Sequence, residues 1–195
     1  MKSIRLILLA LVVSASSVLA QDWSLDNSHS SVNFAVSHLV VSKTRGEFKD
    51  YTGTASFNPA DLSSVKANFT VQVGSVDTRD EKRDGHLKSA DFFDVEKFPT
   101  MTFVSKSAKQ TAPGKGTLTG DLTIRGVTKE VTFMLDGFNS EIATPWGSKV
   151  VGGKATTTIN RQDFGVSWNK TLDAGGVVVG DEVEITLELE FNRPA

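Results

Sequence analysis

Residues 182–191, EVEITLELEF, alternate without a break between charged or polar side chains and large apolar ones. An extended chain places Val183, Ile185 and Leu187 on one side, and the intervening glutamates and threonine on the other. Because successive side chains of a β-strand point to opposite faces, this period of two predicts a strand with one dry face and one wet face. A chain with many such segments can fold only by pairing strands and enclosing their dry faces.

The same alternation recurs along the chain, and short turns that contain Gly, Asn or Asp separate the segments. In an early segment the apolar face is predicted to hold Val32, Phe34, Val36, His38 and Val40. We predict about eight strands. Strands joined by short turns pair antiparallel, and eight strands with one apolar face close most economically into a barrel. We favour this all-β, eight-stranded antiparallel barrel over an open two-sheet sandwich.

The segment from Thr78 to Lys97 breaks the alternation and is rich in charged residues. Its composition predicts a short helix over Glu81 to Lys88, followed by a turn that carries Phe92 and Phe93. Because it is the one long insertion among the predicted strands, it is the candidate for a lid or plug at one end of the barrel.

The first twenty residues have a basic start, an apolar run from Leu6 to Val13 and small residues near Ala20. This pattern predicts a signal peptide over residues 1–20, followed by one exported domain over residues 21–195. Without the signal peptide, 19 basic residues face 23 acidic ones, a net charge of −4. This surface argues against nucleic acid as a partner. The chain has no cysteine, so its stability must come from its core.

Residues suited to catalysis or metal binding are sparse. The nine-residue separation of His29 and His38 puts them far apart on opposite faces of an extended strand, and His86 stands alone in the insertion. No G-x-S-x-G motif is present. We therefore predict no metal, no cofactor and no catalytic residue. His38 is interpreted as a hydrogen-bonded core histidine. It is also the one candidate catalytic residue if the protein is a lipid-acting enzyme.

Phenylalanine is abundant, with twelve residues against three tryptophans and one tyrosine. Many are predicted to point inward, together with small residues such as Gly53, Ala55, Gly120 and Ala155. Large and small side chains that alternate in this way fit either a solidly packed barrel or a barrel with an internal channel. The residues alone leave both interpretations open.

Four stretches carry a family resemblance that bears on this choice: WSLDNSHSSVNFAVSHLVVSKTRGEF, RDGHLKSADFFDVEKFPTMTF, LTGDLTIRGVTKEVTF and INRQDFGVSW. Together they resemble the YceI-like family of polyisoprenoid-binding proteins, in order and from Trp23 to Phe191. The resemblance implies a lipocalin-like barrel, often periplasmic, that holds a long isoprenoid or similar lipid in an extended apolar pocket. It leaves open whether the protein forms a homodimer.

On this resemblance we expect a periplasmic carrier without enzymatic activity and without stable membrane insertion. A polar cluster around Arg79, Arg83, Asp84 and His86, with Arg161 and Asp163, is the candidate head-group region; a structural role in fixing the insertion is the competing interpretation. The expected ligand-binding residues are Phe34, Val36, His38, Phe69, Val71, Arg83, His86, Phe92, Phe93, Phe103, Leu122, Phe133, Arg161, Phe164 and Trp168.

Three alternatives are weighed against the carrier. The first is a lipid-acting enzyme that uses the barrel interior, and the second is a stress-related periplasmic protein whose lipid is incidental. The third is an outer-membrane barrel, which one tyrosine and three tryptophans do not favour, because such barrels carry two aromatic girdles.

Overall fold

The structure is a computed structural model that describes residues 20–171 and 176–195. Residues 1–19 of the predicted signal peptide lie outside the described residues, so the export signal stays a prediction.

Strands account for most of the described chain. Their bounds are β1 Gln21–Leu25, β2 Ser31–His38, β3 Ser42–Phe48, β4 Tyr51–Asn58, β5 Asp61–Gln72, β6 Val76–Asp77, β7 Thr100–Ala112, β8 Lys115–Ile124, β9 Val127–Gly137, β10 Ile142–Ala143, β11 Ser148–Asn160 and β12 Val179–Pro194. The helix α1 covers Glu81–Lys88, and single 3₁₀ turns cover Val73–Ser75 and Arg161–Phe164.

The strands close into an antiparallel barrel, as predicted. Neighbouring strands follow the order β11, β9, β8, β7, β5, β4, β1 and β12, and β12 pairs back with β11 to complete the ring. The long strand β12 pairs with β1 near its end and with β2 nearer its start, so β1 and β2 lie end to end along it. On the side away from β12, β2 pairs with β3 and β1 pairs with β4. The ring therefore has eight positions although more than eight strands are named.

The pairing of β11 with β12 shows how the period of two separates the interior from the exterior. Ala155 lies opposite Leu187 and both border the interior, whereas the adjacent pair, Lys154 and Glu188, forms an exposed ion pair at 3.4 Å. The apolar face predicted for residues 183–191 is the inner face of the barrel.

One strand boundary was predicted wrongly. The alternation that includes Val40 would extend β2 to that residue, but the strand ends at His38 and Val40 is 74% exposed. Leu39 and Val40 have φ angles of +52° and +61° and form the turn into β3. A left-handed backbone at a β-branched residue is uncommon, so the sequence carries no ordinary turn signal here.

The insertion has the predicted helix and lies at one end of the barrel. The side chain of Asp80 accepts a hydrogen bond from the backbone N–H of Arg83 at 3.0 Å and so caps the start of α1. The following turn buries Phe92 and directs Phe93 toward the barrel interior. No helix in the described part of the chain is both long and apolar enough to cross a membrane.

Candidate functional site: an apolar barrel interior

The barrel encloses two apolar cavities. The cavity next to the insertion, here called the cap cavity, has about 1140 Å³ of space free of protein atoms, counting space open to solvent, and is bordered by Leu87, Phe92 and Phe93. The cavity toward the opposite end, the distal cavity, has about 610 Å³ on the same measure and is bordered by Phe57 and Phe138.

The barrel stays hollow because phenylalanine rings lie flat against glycines of the wall. Phe34 pairs across the strands with Gly46, and Phe69 pairs with Gly53. A Cβ atom added at either glycine would overlap the partner's ring, so the ring occupies the space of the missing side chain. Such aromatic–glycine pairs are a known device of curved sheets. The mixture of large and small residues therefore leaves two cavities in the interior rather than a solid core.

Accessibility along β12 reflects this arrangement. Leu189 and Phe191 are buried near one end of the strand, whereas Val183, Ile185 and Leu187 are only half-buried although they face inward. These three side chains border the cap cavity, so their accessible surface faces internal space.

Most of the predicted ligand-binding residues meet in the cap cavity. Those that border it are Phe34, Val36, Phe69, Val71, Phe92, Phe93, Phe103, Leu122, Phe133, Arg161 and Phe164. Those placed outside the lining of both cavities are His38, Arg83, His86 and Trp168. Contact with a ligand stays a prediction for every one of them.

Comparison with known proteins now places this barrel in a family. The model of the YceI-like domain matches residues 23–191. A UPF0312 protein of Staphylococcus aureus strain MSSA476 is 39% identical over 172 residues, which cover 88% of this chain and 97% of that protein. The chain belongs to the YceI-like family.

Solved structures agree with the YceI-like assignment. BcnA of Burkholderia cenocepacia is 28% identical, with a TM-score of 0.70 over 85% of this chain and 98% of that one. The YCEI protein of Campylobacter jejuni is 31% identical, with a TM-score of 0.69 over 82% and 90% of the two chains. A polyisoprenoid-binding domain of Saccharophagus degradans is 14% identical, with a TM-score of 0.58 over 88% and 98%, and shares the fold.

In this YceI-like barrel, Arg161 is a structural residue as well as a lining residue. It is 5% exposed, and burial lowers the pKa of its guanidinium, which nevertheless stays protonated at neutral pH. Its five N–H groups donate to the carbonyl oxygens of Val166, Trp168, Val179 and Gly180 and to a carboxylate oxygen of Asp181, at 2.5–3.3 Å. Because a guanidinium has five N–H donors, none is left for a ligand head group.

Arg83 and Asp84 of the predicted head-group region hold the helix against Thr78, the residue that follows β6 and begins the insertion. Arg83 donates from Nε to Thr78 Oγ1 and from Nη2 to the carbonyl oxygen of Thr78, both at 2.7 Å. The carboxylate of Asp84 accepts from the backbone N–H and the hydroxyl of the same threonine, which is 3% exposed. These contacts favour the structural interpretation of Arg83 and Asp84 over a head-group role.

Trp168 and His86 pack against Phe92, which borders the cap cavity. The ring of Trp168 lies 5.2 Å from that of Phe92, and the imidazole of His86 meets both rings edge to face at about 5 Å. Nε2 of His86 is 2.8 Å from Oδ2 of Asp91. Trp168 was expected in the lining, but it packs on Phe92 and borders neither cavity.

Sequence reasoning missed Arg125, in the turn between β8 and β9. Its guanidinium donates to the carbonyl oxygen of Ala90 at 2.7 Å and to that of Gly165. One side chain thus joins the insertion to the turn that follows Arg161. The only sequence signal was its position within one of the family-like stretches.

His29 also has partners that the sequence did not indicate. Its Nδ1 lies 3.1 Å from Asp26 Oδ2 and 3.7 Å from Glu190 Oε1, on the barrel exterior. The hydrogen bond from the Ser28 side chain, and to a smaller extent that from His29, lowers the pKa of Asp26 to about 2. The same contact with Asp26 raises the pKa of His29. These residues stabilise the turn between β1 and β2.

Proposed function

We propose that this protein is an exported binding protein that carries a long isoprenoid, or a similar lipid chain, inside its barrel. The observation that carries the proposal is the almost wholly apolar lining of two cavities that meet in the barrel interior. The polyisoprenoid-binding domain of Saccharophagus degradans, which shares this fold, supports the proposal.

The driving force for this binding is the removal of hydrocarbon from water. Each buried CH₂ group contributes about 0.8 kcal/mol, so a chain of a few isoprene units supplies a large gross gain. Ordering of the chain and loss of its free motion consume much of that gain. Affinity should therefore increase with chain length until the cavities are filled.

Selectivity for the head group should be weak. The polar residues that border the cap cavity are Asn33, Thr102 and Arg161, and all the donors of Arg161 are engaged within the protein. An anionic diphosphate would therefore find no free cation in the lining formed by the described residues. The protein should recognise the tail and leave a charged head group in water.

The lining also favours carriage over catalysis. Arg161 is the one titratable side chain among the described residues that border the two cavities. His38, the candidate catalytic residue of the enzyme alternative, lies at the end of β2, where its strand partners are Val179 and Ser42. It does not border either cavity. Incubation with a polyprenyl ester should therefore give no hydrolysis; turnover that is lost in His38→Ala would support the enzyme instead.

The direct test is native mass spectrometry of the protein purified from its own cells, followed by organic extraction. We expect an adduct that extraction removes and that consists of a long-chain lipid. An adduct-free protein that also fails to bind added solanesol, a long polyprenol, would refute the proposal. Fractionation of the same cells, with the mass of the mature chain, tests export, cleavage before Gln21 and periplasmic location.

A pair of adjacent residues in β12 provides a matched control. Ile185 borders the cap cavity, whereas Thr186 does not border either one. Ile185→Asn should abolish solanesol binding because it places an amide in the apolar lining. Thr186→Asn should bind like the wild type, and equal loss in both variants would contradict an internal site.

A further inference from the structure

The two cavities adjoin each other and share part of their lining. Four residues border both cavities: Phe69, Phe103, Phe133 and Leu187. The rings of Phe103 and Phe133 meet edge to face, with their centroids 5.2 Å apart. A chain that passes from one cavity to the other must pass these rings.

We propose that Phe103 and Phe133 form a gate that makes the barrel discriminate lipids by chain length. This inference rests on the proposed carrier function and adds a specificity to it. A short isoprenoid is held in the cap cavity alone with the gate closed. A long one displaces the gate and places its far end in the distal cavity.

The two members of the gate are held differently. Phe103 lies against the wall, because a Cβ atom added at Gly120 would lie 2.6 Å from its Cζ. Phe133 lies opposite Leu118 in β8 rather than opposite a glycine, so it has no such space on the wall, and its ring meets that of Phe103 edge to face. We therefore assign the movement to Phe133.

The distal cavity is suited to the end of a hydrocarbon chain. Its walls include the small side chains of Ala55, Ala67 and Ala155, and every residue that borders it is apolar. Polar head groups would lose their hydrogen bonds there, so only a tail can enter. The gate therefore separates a general lipid site from one that only long chains reach.

The first test fills the distal cavity and compares two ligands, farnesol as the short polyprenol and solanesol as the long one. Ala155→Phe should weaken solanesol binding by roughly tenfold or more, since excluding as few as two CH₂ groups has that effect. Farnesol binding should not change. Ala67→Phe, from another part of the same wall, replaces this variant if Ala155→Phe does not fold.

Thr158→Phe is the matched control, because it makes a phenylalanine on the exposed face of the same strand, β11. It should bind both polyprenols like the wild type. If the ratio of the two dissociation constants is unchanged in Ala155→Phe and Ala67→Phe, long chains do not use the distal cavity and the gate is refuted. If the wild type binds neither polyprenol, the carrier function itself fails, which is a separate outcome.

The second test measures the movement of the gate. Phe133→Ala removes the aromatic contact that a long chain must break, so solanesol should associate roughly three- to tenfold faster. The ratio of the solanesol rate to the farnesol rate should therefore rise, because farnesol enters the cap cavity without passing the gate. Equal rates for solanesol in wild type and variant would show that Phe133 does not obstruct the passage.

Discussion

Two glycine-to-alanine substitutions test whether the barrel interior is hollow. At Gly53, the three atoms nearest to an added Cβ all belong to the ring of Phe69. At Gly120, the nearest is the backbone carbonyl oxygen of Val104, followed by Cζ of Phe103 at 2.6 Å and by Cα of Ser105 at 2.8 Å, so two of the three atoms belong to the backbone. Both glycines have ordinary backbone angles, so alanine introduces no φ strain at either position.

The expected change in the free energy of unfolding depends on whether the atoms next to the new methyl group can move away. Alanine lowers the entropy of the unfolded chain, which stabilises the protein by about 0.4–1 kcal/mol at either site. Overpacking opposes this with about 1–3 kcal/mol, and the lower end applies where the obstructing group has free space. The ring of Phe69 borders both cavities and can swing inward. The backbone of β7 cannot move without breaking its hydrogen bonds to β8.

We therefore expect the free energy of unfolding of Gly53→Ala to lie within about 1 kcal/mol of the wild-type value. That of Gly120→Ala should be lower than the wild-type value by about 2–3 kcal/mol. A gap of about 2 kcal/mol corresponds to roughly 4–8 °C in Tm for a chain of this size. Urea titration and thermal unfolding measure both quantities. Equal destabilisation of the two variants would mean that the space before Phe69 is filled, and the account of a hollow barrel would be wrong.

Three further predictions concern the polar contacts. Arg161→Met should lower the free energy of unfolding by about 3 kcal/mol or more, because it leaves several carbonyl oxygens without donors; a urea midpoint near that of the wild type would contradict this. Arg125→Ala should lose about 1–3 kcal/mol and speed amide hydrogen exchange around Ala90, since the insertion loses a charged hydrogen bond; exchange unchanged there would refute the link. The carboxylate of Asp26 should titrate by NMR with a pKa of about 2. Since its pKa is lowered by folding, its stabilising contribution is complete above the unfolded value and disappears as the pH falls toward 2. Ser28→Ala should return that pKa toward the usual range, and no change would show that Ser28 is not the cause.

The sequence predicted the walls of the barrel better than its contents. The inner face of residues 183–191 follows directly from a period of two, because the pleat of a strand leaves no other arrangement. The end of β2 could not be read in the same way: apolar residues continue through Val41, yet the chain turns at Leu39. Hydrophobic alternation predicts which residues share a face of a strand. It does not predict where the strand ends when the turn contains neither glycine nor asparagine.

The site was predictable in its residue types and not in its shape. Inward parity identified Phe34 and Phe69, but whether a ring fills the centre or lies on the wall depends on the glycine across the strands. The role of Arg161 was hidden for a different reason. Its acceptors include Val179 and Gly180, which only the closed barrel brings beside it.

A hollow barrel without disulfides has a consequence for its own stability. Side chains that border empty space lack dispersion contacts on that side, and such voids lower stability in proportion to their size. A lipid that enters the cavities restores these contacts and binds only the folded state. Stability should then rise with ligand by RT ln(1 + [L]/Kd), which is about 2.7 kcal/mol at a hundredfold excess over Kd. Thermal unfolding before and after organic extraction should therefore differ by roughly 5–11 °C. Identical melting of the extracted and loaded protein would show that the lipid does not occupy the interior.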